Sequence, residues 1–221
     1  MPIPQICIQF LFVHALKYEY NTKHKYRERT ELIMSSKFDI IFFGDSLTFG
    51  YGVAKEKSWV YKLTQDFSFS SLNKSCNGDT TTSMLSRYYN HVLVHSPAKI
   101  FIMGGTNDLL LGRSVLSIIS NIELMIKEGL DIGSEIIIGI PPKIIGEMAN
   151  TLFSPSHLYA YAEKEIMVLK NELIKLCNTY EIQFINFYDL TLNKDNIYLD
   201  GIHFTTFGHE LMYQKCLATF N

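Results

Sequence analysis

The feature that most constrains the fold of this sequence is an apolar run that stops abruptly at a turn. The residues from Ile40 to Phe43 are β-branched or aromatic, a pattern that predicts a buried strand. Gly44, Asp45 and Ser46 follow at once, so the chain must turn where the strand ends. Parallel α/β folds bind their ligands at the carboxyl ends of strands. The sequence therefore places Ser46 where a functional side chain would lie, while a helix N-cap is the alternative for this serine taken alone.

Similar apolar runs recur along the chain and alternate with helical patterns. The predicted strands are 38–43, one within 68–76, 99–103, 134–140 and 183–187. The predicted helices are a short one from Trp59 with Ser58 as N-cap, 80–94, 114–128, 155–180 and 206–220. Almost continuously apolar strands separated by helices predict a parallel sheet that is covered on both faces. We therefore expect an α/β fold, a three-layer α/β/α sandwich around a central, mostly five-stranded parallel sheet.

Two finer predictions concern the connections between these elements. Gly129 follows the helical pattern of 114–128 and is predicted to be its C-cap. The segment 141–156 contains three prolines and a glycine, so it is predicted to be the longest loop. Because this segment follows the carboxyl end of a strand, we expect it to border the pocket.

The first 33 residues differ from the rest of the chain. An uncharged, mostly apolar stretch from Pro2 to Leu16 precedes a basic segment, 17–29, which is the reverse of the order in a secretory signal. The apolar stretch is also short for a membrane-spanning helix of about 20 residues. We predict that residues 1–33 are an extension outside the fold and that 34–221 form the functional domain. A short amphipathic tail and a weak membrane anchor are the alternatives for 1–33.

The net charge and the cysteines give no indication of nucleic-acid binding or of a disulfide framework. The formal net charge is −2, which indicates no basic surface for nucleic acid. The four cysteines, at positions 7, 76, 177 and 216, form no CxxC pair, which favours free thiols in a reducing compartment. We expect a cytoplasmic protein without stable membrane insertion.

Three further polar segments follow predicted strands or open predicted helices. They are Asn73 to Thr80, which contains Gly78; Gly105 to Asp108, which contains Asn107; and Asp200 to His203. In the last segment an acid and a base lie three residues apart across a glycine. Asp-Gly alone is also a common turn signal. Together with Ser46, however, this pair supplies the acid and the base that a serine nucleophile needs.

The four segments, in this order, resemble the four blocks of the GDSL, or SGNH, hydrolase superfamily. The serine, glycine, asparagine and histidine of that name fall on Ser46, Gly78, Asn107 and His203. The resemblance extends from residue 38 to about residue 215 and is closest to bacterial thioesterase I/lysophospholipase-like acylhydrolases. It implies the flavodoxin-like SGNH hydrolase fold.

The resemblance also implies a chemistry, that of a serine esterase. Ser46 would be the nucleophile, His203 its general base, and Asp200 the acid that orients the imidazole. The backbone N–H groups of Ser46 and Gly78 and the side-chain amide of Asn107 would form the oxyanion hole. No metal or organic cofactor is implied. The expected partner is a small-molecule or lipid acyl ester, such as small to medium acyl esters, thioesters or lysophospholipids.

Two residues depart from the family pattern. Phe204 stands where many members have a proline after the histidine, and Thr106 stands where close relatives often have glycine.

Two other functions are alternatives to this interpretation. A carbohydrate O-acetyl esterase would use the same triad. A non-catalytic ligand-binding domain of the same fold is the second alternative, against which the intact set of motif residues argues.

Other polar residues are interpreted as structural. Asp45 and Asp108 are predicted to bond loop backbone, because Asp200 already supplies the acid of the triad. His91 and His95 have the i, i+4 spacing of a metal site but lack an obvious third ligand. His209 is predicted to cap or to pack within the last helix.

Overall fold

A computed structural model of the chain describes residues 37–220. The predicted extension over 1–33, the proposed start of the domain at Met34 and the thiol of Cys7 lie outside the described residues. The three described cysteines, Cys76, Cys177 and Cys216, are free. No helix within 37–220 combines the length and the apolar character needed to cross a membrane.

A single parallel sheet forms the centre of the described structure. Its strands are β1 (Ile40–Gly44), β2 (Ser71–Asn73), β3 (Lys99–Met103), β4 (Glu135–Ile140) and β5 (Gln183–Asn186). They lie in the order β2-β1-β3-β4-β5, and every neighbouring pair is parallel. The predicted five-stranded parallel sheet is therefore confirmed. The direction of strand order reverses between β1 and β3, which is the topological switch point where such sheets bind ligands.

Helices cover the sheet on both sides. They are α1 (Ser46–Phe49), α2 (Trp59–Asp66), α3 (Thr81–His91), α4 (Thr106–Leu110), α5 (Val115–Asp131), α6 (Gly146–Leu152), α7 (Leu158–Thr179), α8 (Phe187–Leu190) and α9 (Thr206–Phe220). Short 3₁₀ helices lie at Lys55–Lys57, Leu93–His95 and Asp195–Ile197. The predicted N-cap of α2 is confirmed, since Ser58 Oγ accepts a hydrogen bond from the Tyr61 N–H at 3.4 Å.

The burial of β1 explains the three layers. All five residues of this strand are buried. Ile41 and Phe43 pack in a core with α3, α5 and α7, whereas Ile40 and Phe42 pack in a second core with Trp59 of α2 and with α9. Successive side chains of a strand point to opposite faces, so a continuously apolar strand needs a covering layer on each side.

The prediction that Gly129 ends its helix is wrong. Helix α5 continues to Asp131 and is capped at Ile132. Gly129 is buried within the helix, where a Cβ atom would lie 2.6 Å from Ile136 Cδ1 and 2.8 Å from the Tyr88 hydroxyl oxygen. The absence of a side chain thus permits close packing of α5 on the sheet and on α3.

The prediction of one long loop over 141–156 is also wrong in part. Helix α6 (Gly146–Leu152) lies within it, and α7 begins at Leu158 rather than at Pro155. The segment packs against the turn at Gly201, whose carbonyl accepts a hydrogen bond from the Ile145 N–H at 2.8 Å. It therefore borders the predicted acid and base. Flanking prolines and a length of only seven residues hide this helix in the sequence.

Candidate active site

Ser46 is the first residue of α1, directly after the end of β1. The cap of this short helix is Asp45, whose Oδ1 accepts a hydrogen bond from the Leu47 N–H at 3.0 Å. Asp45 therefore has the structural role that was predicted, although it bonds the backbone of α1 rather than that of a loop, and Ser46 is not the N-cap. Trp59 Nε1 donates to the Leu47 carbonyl at 2.9 Å. These bonds fix the helix that carries Ser46 against the α2 side of the sheet.

The structure brings Ser46, His203 and Asp200 together in one hydrogen-bonded chain. Ser46 Oγ lies 2.9 Å from His203 Nε2, across 157 positions of sequence. On the other side of the ring, His203 Nδ1 lies 2.7 Å from Asp200 Oδ2. These contacts have the distances that proton transfer from a serine to a histidine requires. The three residues proposed from the sequence thus form a connected site.

Asp200 is held by the backbone as well as by the imidazole. Its Oδ1 accepts hydrogen bonds from the N–H groups of Ile202 at 2.9 Å and of His203 at 2.7 Å. Burial raises the pKa of Asp200, but the hydrogen bonds from His203 and Ile202 outweigh it and leave the pKa below its usual value. Asp200 is therefore a carboxylate at neutral pH. It favours a proton on His203 Nδ1, which leaves Nε2 free to accept the Ser46 proton.

The turn between the acid and the base requires glycine. Gly201 has φ +87°, in the left-handed region, and a Cβ atom there would collide with the Ile145 carbonyl oxygen. Phe204, which stands where the family pattern often has proline, lies just beyond this turn. Phe204 is buried, pairs with Tyr198 in a β-bridge and packs on its ring at 4.8 Å between centroids. The aromatic residue thus closes the loop that carries His203.

Tyr51 and His209 support His203, and sequence reasoning missed the contact. The Tyr51 ring lies 4.4 Å from the His203 ring, centroid to centroid. His209, which was predicted to cap or to pack within the last helix, is buried and packs edge-on against Phe204, with ring centroids 6.4 Å apart, and its ring also interacts with the Tyr51 backbone. Burial lowers the pKa of His209 to about 4, so this histidine is neutral at neutral pH. The only sequence signal was the position of Gly50-Tyr51-Gly52 immediately after the helix that carries Ser46.

Gly78 and Asn107, which are proposed to form the oxyanion hole together with Ser46, follow the two strands next to β1 in the sheet. The loop after β2 reaches the end of β1, where the Cys76 N–H donates to the Gly44 carbonyl at 3.0 Å. Gly78 in this loop has φ +75°, and no atom lies within 4 Å of the position that a Cβ would take. Asn107 Nδ2 donates to the Asp79 carbonyl at 2.9 Å. An amide has two N–H donors, so Asn107 retains a second one.

The remaining polar residues have structural partners. Asp108 is fully buried and accepts hydrogen bonds from the N–H of Thr81 at 2.7 Å, from the Thr81 hydroxyl at 2.9 Å and from Arg113 Nη1 at 3.2 Å. It bonds backbone, as predicted, and ties α4 to α3. His91 Nδ1 lies 3.1 Å from Arg87 Nη1. No group of three or more His, Cys, Asp or Glu side chains in 37–220 is arranged to hold a metal ion.

Comparison with known proteins identifies relatives over most of the chain. Residues 42–211 match the family described as GDSL-like Lipase/Acylhydrolase. An arylesterase from Vibrio mimicus is 34% identical over 113 residues, which cover 47% of this chain and 56% of the relative. The aligned region therefore spans little more than half of that arylesterase.

Two solved structures show the same fold. A member of the lipolytic protein G-D-S-L family from Veillonella parvula has a TM-score of 0.70 and 24% identity, with 82% of this chain and 97% of that chain covered. The lipase/acylhydrolase from Enterococcus faecalis has a TM-score of 0.69 and 25% identity, with 82% and 94% covered.

Proposed function

This chain belongs to the GDSL-like lipase/acylhydrolase family, and we propose from that membership and from its site that it is a serine hydrolase of carboxylic esters. The observation that carries the proposal is the chain of hydrogen bonds from Ser46 Oγ through His203 to Asp200, at 2.9 and 2.7 Å. A serine hydroxyl is a poor nucleophile until a base removes its proton. The half-buried, preassembled base and acid supply that activation without a cofactor.

In the proposed acylation, Ser46 Oγ attacks the ester carbonyl while His203 Nε2 takes the hydroxyl proton. The carboxylate of Asp200 stabilises the imidazolium that forms. Collapse of the tetrahedral intermediate breaks the bond to the leaving alcohol, and His203 returns the proton to that oxygen. The product of this half-reaction is an acyl ester on Ser46.

The negative charge on the tetrahedral oxygen needs donors that are already in place. The N–H groups of Ser46 and Gly78 and the second amide hydrogen of Asn107 are proposed for this role. Removal of one such donor typically costs about 3 kcal/mol of barrier. In deacylation, His203 activates a water that attacks the acyl carbonyl, and the same donors stabilise the second intermediate. The acid product leaves and Ser46 regains its proton.

Exposed apolar side chains beside the site support an acyl ester as substrate. Tyr51 contacts His203, and Leu199 directly precedes Asp200. Leu199 is 43% exposed, and exposed apolar surface of this kind can bind the hydrocarbon of an acyl group. We therefore propose small to medium acyl esters, thioesters or lysophospholipids as the substrate class.

Hydrolysis of p-nitrophenyl esters from acetyl to long acyl tests the proposal. We expect Ser46→Ala to lose at least about 1,000-fold in kcat/KM, while Ser86→Ala, an exposed serine on α3, retains wild-type activity. A fluorophosphonate should react with Ser46 Oγ and release fluoride, so that the peptide containing Ser46 gains the mass of the phosphonyl group. Retention of full activity by Ser46→Ala would overturn the mechanism.

The chain-length profile decides between substrate classes. Turnover of acyl chains longer than acetyl supports the proposed class, whereas turnover of acetyl esters and sugar acetates alone supports the carbohydrate O-acetyl esterase. A folded wild-type protein that neither turns over an ester nor reacts with the fluorophosphonate would refute hydrolase activity and favour a ligand-binding domain.

A further inference from the structure

Arg87 lies on α3, away from the proposed triad, yet its guanidinium joins the segments around the oxyanion hole. Nε donates to Asp79 Oδ2 at 2.7 Å, and Nη2 bonds the same carboxylate. Nη1 donates to the Lys74 carbonyl at 2.7 Å, and Nη2 reaches the Gly44 carbonyl at 3.4 Å. One side chain therefore connects the end of β1 to both ends of the loop that follows β2.

The surroundings of this guanidinium hold it in a single place. The Arg87 side chain is 15% exposed and that of Asp79 is 9% exposed. The guanidinium carbon lies 4.2 Å from the centroid of the Phe43 ring, and Nη1 lies 3.1 Å from His91 Nδ1. A planar fork with five donors satisfies these partners at once, which a lysine ammonium cannot do. The ion pair is therefore a fixed part of the fold and not a flexible surface pair.

Asp79 links this ion pair to two of the proposed oxyanion donors. Its carboxylate is held by Arg87 and by the Ser83 hydroxyl, the latter at 2.5 Å. Its backbone carbonyl accepts the hydrogen bond from Asn107 Nδ2. The residue directly before it is Gly78. Movement of Asp79 would thus displace both the Asn107 amide and the Gly78 N–H.

We propose that Arg87 is a positioning residue that aligns the oxyanion donors of Gly78 and Asn107 through Asp79. This role rests on the proposed ester hydrolysis. Arg87 acts through these residues and does not itself contact substrate. Oxyanion donors act on the transition state more than on the bound substrate, and small displacements of them are costly. Loss of Arg87 should therefore lower kcat and leave KM nearly unchanged.

Steady-state kinetics of Arg87→Met and Arg87→Lys on the best p-nitrophenyl ester test this proposal. We expect kcat to fall about 10- to 100-fold in both variants, with KM within about twofold of wild type. Lys99→Met is the control for loss of an ion pair, because it breaks the pair with Glu135 at the amino-terminal ends of β3 and β4, away from the proposed site. It should retain wild-type kcat. Unchanged kcat in folded Arg87→Lys, or a loss carried by KM, would overturn the proposal.

A double-mutant cycle tests the connection to Asn107. If Arg87 acts through the Asn107 amide, then Arg87→Lys should cost much less in an Asn107→Ala background than in wild type. Fully multiplicative losses would contradict this connection. Circular dichroism and thermal melts identify variants that do not fold. Asp79→Asn, which keeps the backbone carbonyl and removes the ion pair, provides a second test if Arg87→Met is unfolded.

The outcomes also separate this proposal from the proposed function. A wild-type protein without esterase activity refutes the function on which the role of Arg87 rests. An active wild-type protein whose Arg87 variants keep their kcat refutes the positioning role alone.

Discussion

The phenol ring of Tyr51 lies against the imidazole of His203, with centroids 4.4 Å apart and an angle of 44° between the ring planes. The backbone of Tyr51 in turn interacts with the buried His209. An aromatic ring packed against a histidine restricts the rotation of the imidazole. The contact therefore helps to hold His203 in the orientation that the proposed proton transfer requires.

Replacement of Tyr51 should reveal this support. We expect Tyr51→Phe, which keeps the ring, to retain most of the wild-type kcat, and Tyr51→Ala to lose about tenfold. Tyr89→Ala, at an exposed tyrosine on α3, is the control for loss of an aromatic ring. Steady-state kinetics on a p-nitrophenyl ester measure the effect. Equal kcat in the Phe and Ala variants would show that the ring does not assist His203.

Asn107→Ala should remove one oxyanion donor. We expect kcat to fall about 100- to 1,000-fold with little change in KM. The lost hydrogen bond to the Asp79 carbonyl should also lower the free energy of unfolding by about 1 kcal/mol. Asn121→Ala is the matched control, since that side chain donates to the Thr81 hydroxyl at 3.0 Å outside the proposed site. A loss confined to KM would assign Asn107 to substrate binding instead.

Asp45 should make the stability of the protein fall as the pH rises from about 4 to 7. Burial raises the pKa of Asp45 from 3.8 to about 7. The hydrogen bond from the Leu47 N–H lowers this pKa, but burial has the larger effect. Between these values the unfolded chain has released the proton and the folded protein retains it, so the folded state loses stability with rising pH. Over this pH range the free energy of unfolding should fall by about 4 kcal/mol in total.

Asp45→Asn tests this dependence, because an amide can keep the bond to Leu47 without titrating. Urea unfolding at a series of pH values should show that the advantage of the variant over wild type grows from pH 4 to pH 7. Asp131→Asn, an exposed residue at the end of α5, should not show this trend. A constant difference between Asp45→Asn and wild type would contradict the raised pKa.

His209 should make the stability of the protein fall as the pH decreases, which is the opposite of the trend expected for Asp45. Burial lowers the pKa of this histidine from 6.5 to about 4, so its neutral form is the one that the fold accommodates. The stability it confers is present above pH 6.5 and is lost as the pH falls toward 4, where the unfolded chain binds a proton and the folded protein does not. The same unfolding series on His209→Gln should show a shallower loss at acid pH. A variant with the acid profile of wild type would contradict this expectation.

Gly129→Ala should destabilise the protein, although alanine is the better helix former. In an exposed helix this change stabilises by about 1 kcal/mol. Here the added methyl would lie 2.6 Å from Ile136 Cδ1, and overpacking of this kind costs about 1–3 kcal/mol. Ser120→Ala, at an exposed position of α5, should change stability by less than about 0.5 kcal/mol. Chemical denaturation measures both, and a gain for Gly129→Ala would refute the packing role.

Several strands and the candidate site residues could be predicted from local patterns in the sequence. The apolar run at Ile40 to Phe43 predicts a buried strand because every residue in it favours that state, and the same reasoning identified β3 and β4. The five proposed site residues were also named from the sequence, since each follows or opens a recognisable element. The chain of hydrogen bonds from Ser46 through His203 to Asp200, by contrast, is an observation of the folded chain, and the roles of the five residues are a proposal that kinetics can test.

The sequence by itself determined the strands, the main helices and the residue types of the site, because these follow from periodicity and from short motifs along the chain. Only the tertiary structure decided that Gly129 lies inside a helix, that Tyr51 covers His203 and that Arg87 reaches Gly44. These features depend on contacts between residues far apart in sequence. No local pattern along the chain encodes such contacts.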